Sequence, residues 1–240
     1  MRILCIMNKV SPPPLMYARR GLHGISPTEV FAENTYEAFE LALRNRYDGI
    51  ELDVHLTKDN ELIVIHDDTL NRTSYCNKTM KVKQMNCNEI IKHKIKNGKE
   101  KYPLLDNVLK LVKSHNKRII IDVKTKRERA LRNILNMVKK MDFDTNLLIV
   151  LWWGNNSFIK KYHDKLNIYR AYKKSVLNEK IIKNIQDYYF KGVCLEYTGK
   201  ENNLKTMTNI KEAGLEMNLY SQMDRKKIGI SELECEHFTV

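Results

Sequence analysis

The 240-residue chain lacks the marks of several protein classes. Its five cysteines, Cys5, Cys76, Cys87, Cys194 and Cys235, form no CxxC pair and no paired spacing, and their number is odd. That argues against a disulfide framework or a zinc knuckle and points to a reducing compartment. No apolar run approaches the ~18–20 residues of a membrane span. Residues 3–7 are apolar but too few for the core of a signal peptide, and Lys9 and the prolines at 12–14 cut them off. A soluble, cytoplasmic protein is the expectation. No GxGxxG is present, and no linker or low-complexity tract divides the chain, so residues 1–240 read as a single domain. Acidic residues are the scarcer sign, 29 Asp and Glu against 42 Lys and Arg, which leaves a net charge of +13. Such a balance attracts anions: phosphorylated metabolites, lipid headgroups or nucleic acid. An Asn-, Lys- and Ile-rich composition also follows from an A+T-rich coding sequence. The lysine runs have no interleaved aromatics, so they read as solvated faces rather than a sequence-specific nucleic-acid surface. They remain compatible with weak contact with an anionic membrane surface.

What is present concentrates in residues 49–73. Glu51 and Asp53 end an apolar run and, two apart on a strand, project to one face. A polar break at Thr57-Lys58-Asp59-Asn60 reads as a hairpin turn, and a second apolar run ends in His66-Asp67. A turn centred on Asp59-Asn60 predicts His66 opposite Asp53. Two carboxylates and an imidazole then meet at one strand end, the composition of a hydrolytic metal site.

Along the rest of the chain, short β-branched runs alternate with amphipathic stretches. Strands are predicted over 15–20, 118–123, 147–152, 168–172, 192–197, 215–220 and 236–240. Helices are predicted over 33–46 (capped by Asn34 or Thr35), 104–115, 127–140, 157–164, 178–187 and 202–213. Polar residues 68–102 read as an excursion with one helix near 88–93. This alternation implies parallel strands and crossover helices. With so many units and no dinucleotide fingerprint, it favours a closed (β/α)8 barrel over a doubly wound sheet.

In such a barrel, ligands sit at the C-terminal ends of the strands. The polar residues there are Arg19, Arg20, Glu51, Asp53, His66, Asp122, Lys124, Tyr220, Ser221 and Gln222. Asp122 and Lys124 share a face after a wholly apolar strand. Glu51, Asp53 and Asp122 suit a hard cation such as Mg²⁺ or Ca²⁺ through oxygen ligands; each carboxylate pairing with a neighbouring Lys or Arg is the alternative. Of the tandem tryptophans, Trp152 is assigned to the substrate mouth, with Trp153 or simple core packing as alternatives.

These residues resemble a family, the glycerophosphodiester phosphodiesterases. Arg20-Gly21 matches the end of that family's opening His-Arg-Gly. Ala32-Glu33-Asn34-Thr35 is similar to its Pro-Glu-Asn-Thr box. Glu51-Leu52-Asp53-Val54, Thr57-Lys58-Asp59-Asn60 and His66-Asp67 follow in order and spacing, and Leu70-Asn71-Arg72-Thr73 and Tyr102-Pro103-Leu104-Leu105-Asp106 are similar to later segments. The resemblance is dense over residues 15–125 and faint beyond.

The resemblance implies a TIM barrel of the phospholipase-C-like phosphodiesterase type that hydrolyses lipid-derived glycerophosphodiesters with a divalent metal. It implies Glu51, Asp53 and Asp122 as metal ligands, Arg20 and Lys124 as the phosphate clamp, His66 as one of two acid/base histidines, and Tyr220 as a pocket wall. The third ligand is usually Glu in this family; Asp followed two residues later by Lys is nearer the sphingomyelinase D-like phospholipases. Residue 19 departs further, because Arg19 stands where the family's opening histidine would be. A guanidinium with pKa above ~12 cannot shuttle protons near neutrality. Arg19 then stabilises charge, or His23 reaches back from its loop, or the chain is an impaired relative that binds phosphodiesters without efficient turnover.

Overall fold

The stretch Arg118-Ile-Ile-Ile-Asp-Val123 explains the architecture in miniature. Ile119, Ile121 and Val123 pack outward against helices, whereas Ile120 belongs to a separate cluster inside the sheet. A strand buried on both faces is apolar throughout, and parallel sheets covered by crossover helices demand such strands. The computed structural model describes residues 14–25, 30–76, 79–96, 98–173, 176–198, 201–221 and 237–239. The 3–7 stretch, residues 11–13 of the proline lead-in, Gln222, and residues 236 and 240 of the last expected strand lie outside the described residues.

Eight parallel strands close on themselves. They are β1 (Leu15–Arg19), β4 (Gly49–Leu56), β6 (Arg118–Val123), β7 (Leu148–Trp152), β8 (Asn167–Ala171), β9 (Gly192–Glu196), β10 (Glu216–Tyr220) and β11 (His237–Thr239). Each pairs with the next, β11 pairs with β1, and β1 pairs with β4, which completes the ring. This is the closed barrel that the alternation implied. Two short strands, β2 (Gly24–Ile25) and β3 (Val30–Phe31), form a small ladder of their own, and β5 (Leu62–Val64) runs antiparallel to β4.

Helices α1 (Tyr36–Arg44), α3 (Leu105–Ser114), α4 (Arg129–Met141), α5 (Glu179–Asp187) and α6 (Glu201–Glu212) provide crossovers, and α2 (Cys87–Ile90) is a single turn within the excursion. Of the two cap residues considered for α1, Thr35 serves: its Oγ1 accepts from the Ala38 amide at 3.2 Å. The helix expected over 157–164 is instead a 3-10 segment, Asn156–Lys161. Within that segment Ile159 is the one buried side chain, too small an apolar stripe to hold an α-helix against the barrel. The excursion has its own apolar cluster beneath β5, with Ile63, Leu70, Val82, Ile90 and Tyr102 at its centre.

Candidate active site

The carboxylates converge because of strand register. Asp53 on β4 lies beside Asp122 on β6, and Arg19 on β1 beside Glu51. The even residues of β4 (Ile50, Leu52, Val54) pack against helices, which turns Glu51 and Asp53 into the barrel. Ligand oxygens of Glu51, Asp53 and Asp122 all lie within 4.8 Å of one another, and all three residues are buried. Two like charges 4 Å apart repel by about 4 kcal/mol at an effective dielectric of 20. The cluster therefore needs a proton or a cation.

The electrostatics are divided accordingly. Burial, reinforced by Asp53 and Asp122, pushes the Glu51 carboxyl up to about 8. Burial also raises Asp122, against the pull of Lys124. Burial opposes ionisation of Asp53 too, but Lys124 and Arg20 outweigh it and hold that carboxyl below its ordinary range. Lys124 Nζ sits 2.9 Å from Asp53 Oδ1 and 2.5 Å from Asp122 Oδ2. Arg20 Nε is 3.1 Å from Asp53 Oδ2, and Trp153 Nε1 donates to Asp122 Oδ1 at 2.6 Å.

Around this centre the backbone is strained in two places. Arg20 (φ 54°) and Asn34 (φ 57°) both occupy the left-handed region, which costs a non-glycine residue about 1–2 kcal/mol. At Arg20 the turn aims the amide at Glu51 Oε2 (3.0 Å). At Asn34 it brings the side-chain amide to Asp53 Oδ2 (2.9 Å), and its backbone N–H donates to the Arg20 carbonyl. A chain of ion pairs then runs outward. Glu33 accepts from Arg20 at 3.2 Å and from Arg72 at 2.6 Å, and Arg72 Nε donates to Asp67 Oδ2 at 2.7 Å. Asp67 Oδ1 in turn lies 2.7 Å from His66 Nδ1. The Arg72 hydrogen bond pulls Asp67 down to about 2.

A cavity of about 500 Å³ opens at the C-terminal end of the barrel, lined by Arg19, Arg20, Glu51, His66, Asp122 and Lys124 among others. Tyr220 lines it too, with the Arg19 guanidinium carbon 6.0 Å from the ring centroid. Trp152 does not. It is fully buried in the outer layer with Leu148 and Val150, and its Nε1 donates to the Asn155 carbonyl. Strand parity gives the cavity to Trp153 instead. The hairpin register also differs by one residue from the expected one. Leu56 pairs with Leu62 across a five-residue loop, and the Ile65 amide donates to the Asp53 carbonyl, so Ile65 rather than His66 faces Asp53. Asn60, at φ 69°, takes the extra turn. His66 reaches the cavity because β5 has ended at Val64. His23 stays exposed and His55 contacts the His66 carbonyl at 3.1 Å; neither lines the cavity. Sequence reasoning gave no role to Glu33, Asp67 or Arg72 and considered Asn34 only as a helix cap, although each stands inside a motif it quoted.

Three carboxylates with oxygen donors only, one of them unfavourable as an anion, fit a hard divalent cation. Among the described residues no helix is long and apolar enough to cross a membrane.

Residues 20–177 match the model of the glycerophosphoryl diester phosphodiesterase family. The chain is 45% identical over 103 residues to a glycerophosphodiester phosphodiesterase of Bacillus altitudinis, a stretch covering 40% of this chain and 39% of that protein. The chain thus spans well under two thirds of that relative's length. Its structure is similar to that of a glycerophosphodiester phosphodiesterase from Parabacteroides distasonis (TM-score 0.73, 21% identity, 95% of this chain and 93% of the other). It is also similar to a phosphodiesterase of Oleispira antarctica solved with the product sn-glycerol-3-phosphate (TM-score 0.73, 19% identity, 94% and 93% covered). At these identities the structural likeness carries the fold.

Proposed function

The chain belongs to the glycerophosphoryl diester phosphodiesterase family, and we propose that it hydrolyses glycerophosphodiesters in the barrel-mouth cavity. One observation carries this reading: Glu51 and Asp122 line one cavity with Arg20, Lys124 and His66, and Asp53 completes their buried carboxylate cluster. Glu51, Asp53 and Asp122 would hold a divalent cation, Mg²⁺ or Ca²⁺, which when bound supplies Lewis-acid polarisation of the phosphoryl oxygens. Arg20, Lys124 and Arg19 offset charge on the phosphoryl group, Arg20 as a planar fork and Lys124 as a point charge. With its Nδ1 against Asp67, His66 has Nε2 left to give or take the proton. Trp153 and Tyr220 form walls. The Oleispira complex, on the same fold, supports glycerol phosphate as a fitting product.

Arg19 supports a second reading, an impaired relative that binds phosphodiesters with little turnover. His66 is the one histidine lining the cavity among the described residues, and Arg19 cannot act as its proton-transfer partner. Turnover of glycerophosphodiesters with Mg²⁺ or Ca²⁺, with and without chelator, separates the two. Chelator-sensitive hydrolysis that falls about 10²–10⁴-fold in His66→Ala supports the enzyme. A silent native chain that gains hydrolysis in Arg19→His supports the binder.

A further inference from the structure

The cavity is two-sided. The carboxylates, Arg20, Lys124 and Trp153 belong to the arc formed by β1, β4, β6 and β7. There Lys124 is engaged by Asp53 and Asp122, and Arg20 by Glu33 and Asp53. The arc from β8 to β11 differs. Lys173, two residues beyond Ala171 at the end of β8, has the parity of Tyr169 and Ala171, lines the cavity and is exposed. In strand order β8 is four places from β1 in either direction, so Lys173 stands across the mouth from Arg19 and Arg20. Neither Lys173 nor Arg19 has a carboxylate partner among the described residues; Arg19 instead leans over Tyr220 on β10. Glu196 on β9, the carboxylate that lines this arc, is itself engaged in another interaction.

We propose that this second arc selects diesters whose alcohol carries a second anionic group, with Lys173 as its anchor. The proposal rests on the phosphodiester reading of the cavity. The opposite arc would take the phosphodiester, leaving the Lys173 ammonium across the mouth for the far end of the alcohol. An unpaired cation at a rim raises the local concentration and binding of anions, most strongly at low salt.

The test uses two non-hydrolysable analogues of glycerophosphoglycerol, with the leaving oxygen replaced by methylene. One ends in a free hydroxyl and the other in a phosphate monoester. Calorimetry on the native chain with Mg²⁺, and again with chelator, should show the terminal phosphate bound on the order of tenfold more tightly. That ratio should shrink toward one in Lys173→Met, fall further in Lys173→Glu, and decline with added salt. Equal affinities in the native chain, or a ratio untouched by Lys173→Met, overturn this proposal and leave the phosphodiester site standing. If neither analogue binds under either condition, the phosphodiester reading falls and the proposal with it.

Discussion

Glu51 is held as a carboxyl that prefers its proton, because it is buried among two other acids. Cation binding below about pH 8 must therefore release that proton. Mg²⁺ affinity is expected to rise by up to about tenfold per pH unit between roughly pH 6 and 8, then level off, as read by calorimetry in buffers of differing ionisation heat. The sign for stability follows from the raised value. Protonated Glu51 favours the metal-free fold at low pH, and that contribution is lost as pH rises through about 8. The unfolding temperature in chelator should fall as pH rises from about 4.5 to about 8, and Glu51→Gln should flatten the slope. The tandem tryptophans make a second residue-scale contrast. Trp152 fills the outer core and Trp153 donates to Asp122. Trp152→Ala should cost about 3–5 kcal/mol of stability. Trp153→Phe should cost about 1 kcal/mol while changing cation and diester affinity. Denaturant unfolding paired with calorimetry reads both.

At the scale of elements, the join between β1 and α1 positions half of the site. Arg20 and Gly21 turn in the left-handed region, and the Leu22 amide donates to the Ala38 carbonyl, so the turn is seated on the helix. A β-carbon at Gly21 would lie 2.8 Å from the Ala38 carbonyl carbon, in a backbone conformation (φ 80°) that L side chains resist. Gly21→Ala is expected to cost roughly 2–4 kcal/mol. It should also displace Arg20, which would appear as weakened binding even where the fold survives at low temperature. The β4–β5 hairpin shows why register is harder to read than strand existence. The apolar runs mark both strands, but a loop of five residues rather than four shifts every pairing by one. That depends on Asn60 adopting a positive φ, and Asp59-Asn60 is compatible with either loop.

On the scale of the whole molecule, the ring is closed by β11, three residues long, between β10 and β1. Thr239 donates to Asn218, and Asn218 to the Cys194 sulfur, a buried polar line across β11, β10 and β9. Removing residues 237–240 would leave β1 and β10 with unpaired edges in a fold that otherwise has none on its ring. Loss of a single cooperative unfolding transition, followed by circular dichroism, is the expected outcome. The charge of +13 is spread over a large surface, yet within the cavity the two arcs treat cations differently. Net charge alone does not report that division.

The barrel itself was legible because parallel strands buried on both faces must be apolar runs separated by helices. The carboxylate side was legible because i and i+2 on a strand share a face whatever the fold. That much placed Glu51 with Asp53, and Asp122 with Lys124. What the chain alone left open was which face is inside. In Leu148-Ile149-Val150-Leu151-Trp152-Trp153 both parities are apolar, so no periodicity distinguishes Trp152 from Trp153, and only closure of the barrel assigns Trp153 to the cavity. The same holds for Glu33, Asp67 and Arg72, which lie as far as 39 residues apart in sequence and meet only where the α1 entry folds against the end of β5. Strand pattern is a local property of the side chains; the ion-pair chain and the two-sided mouth are properties of ring closure, set by which strands stand next to and opposite one another.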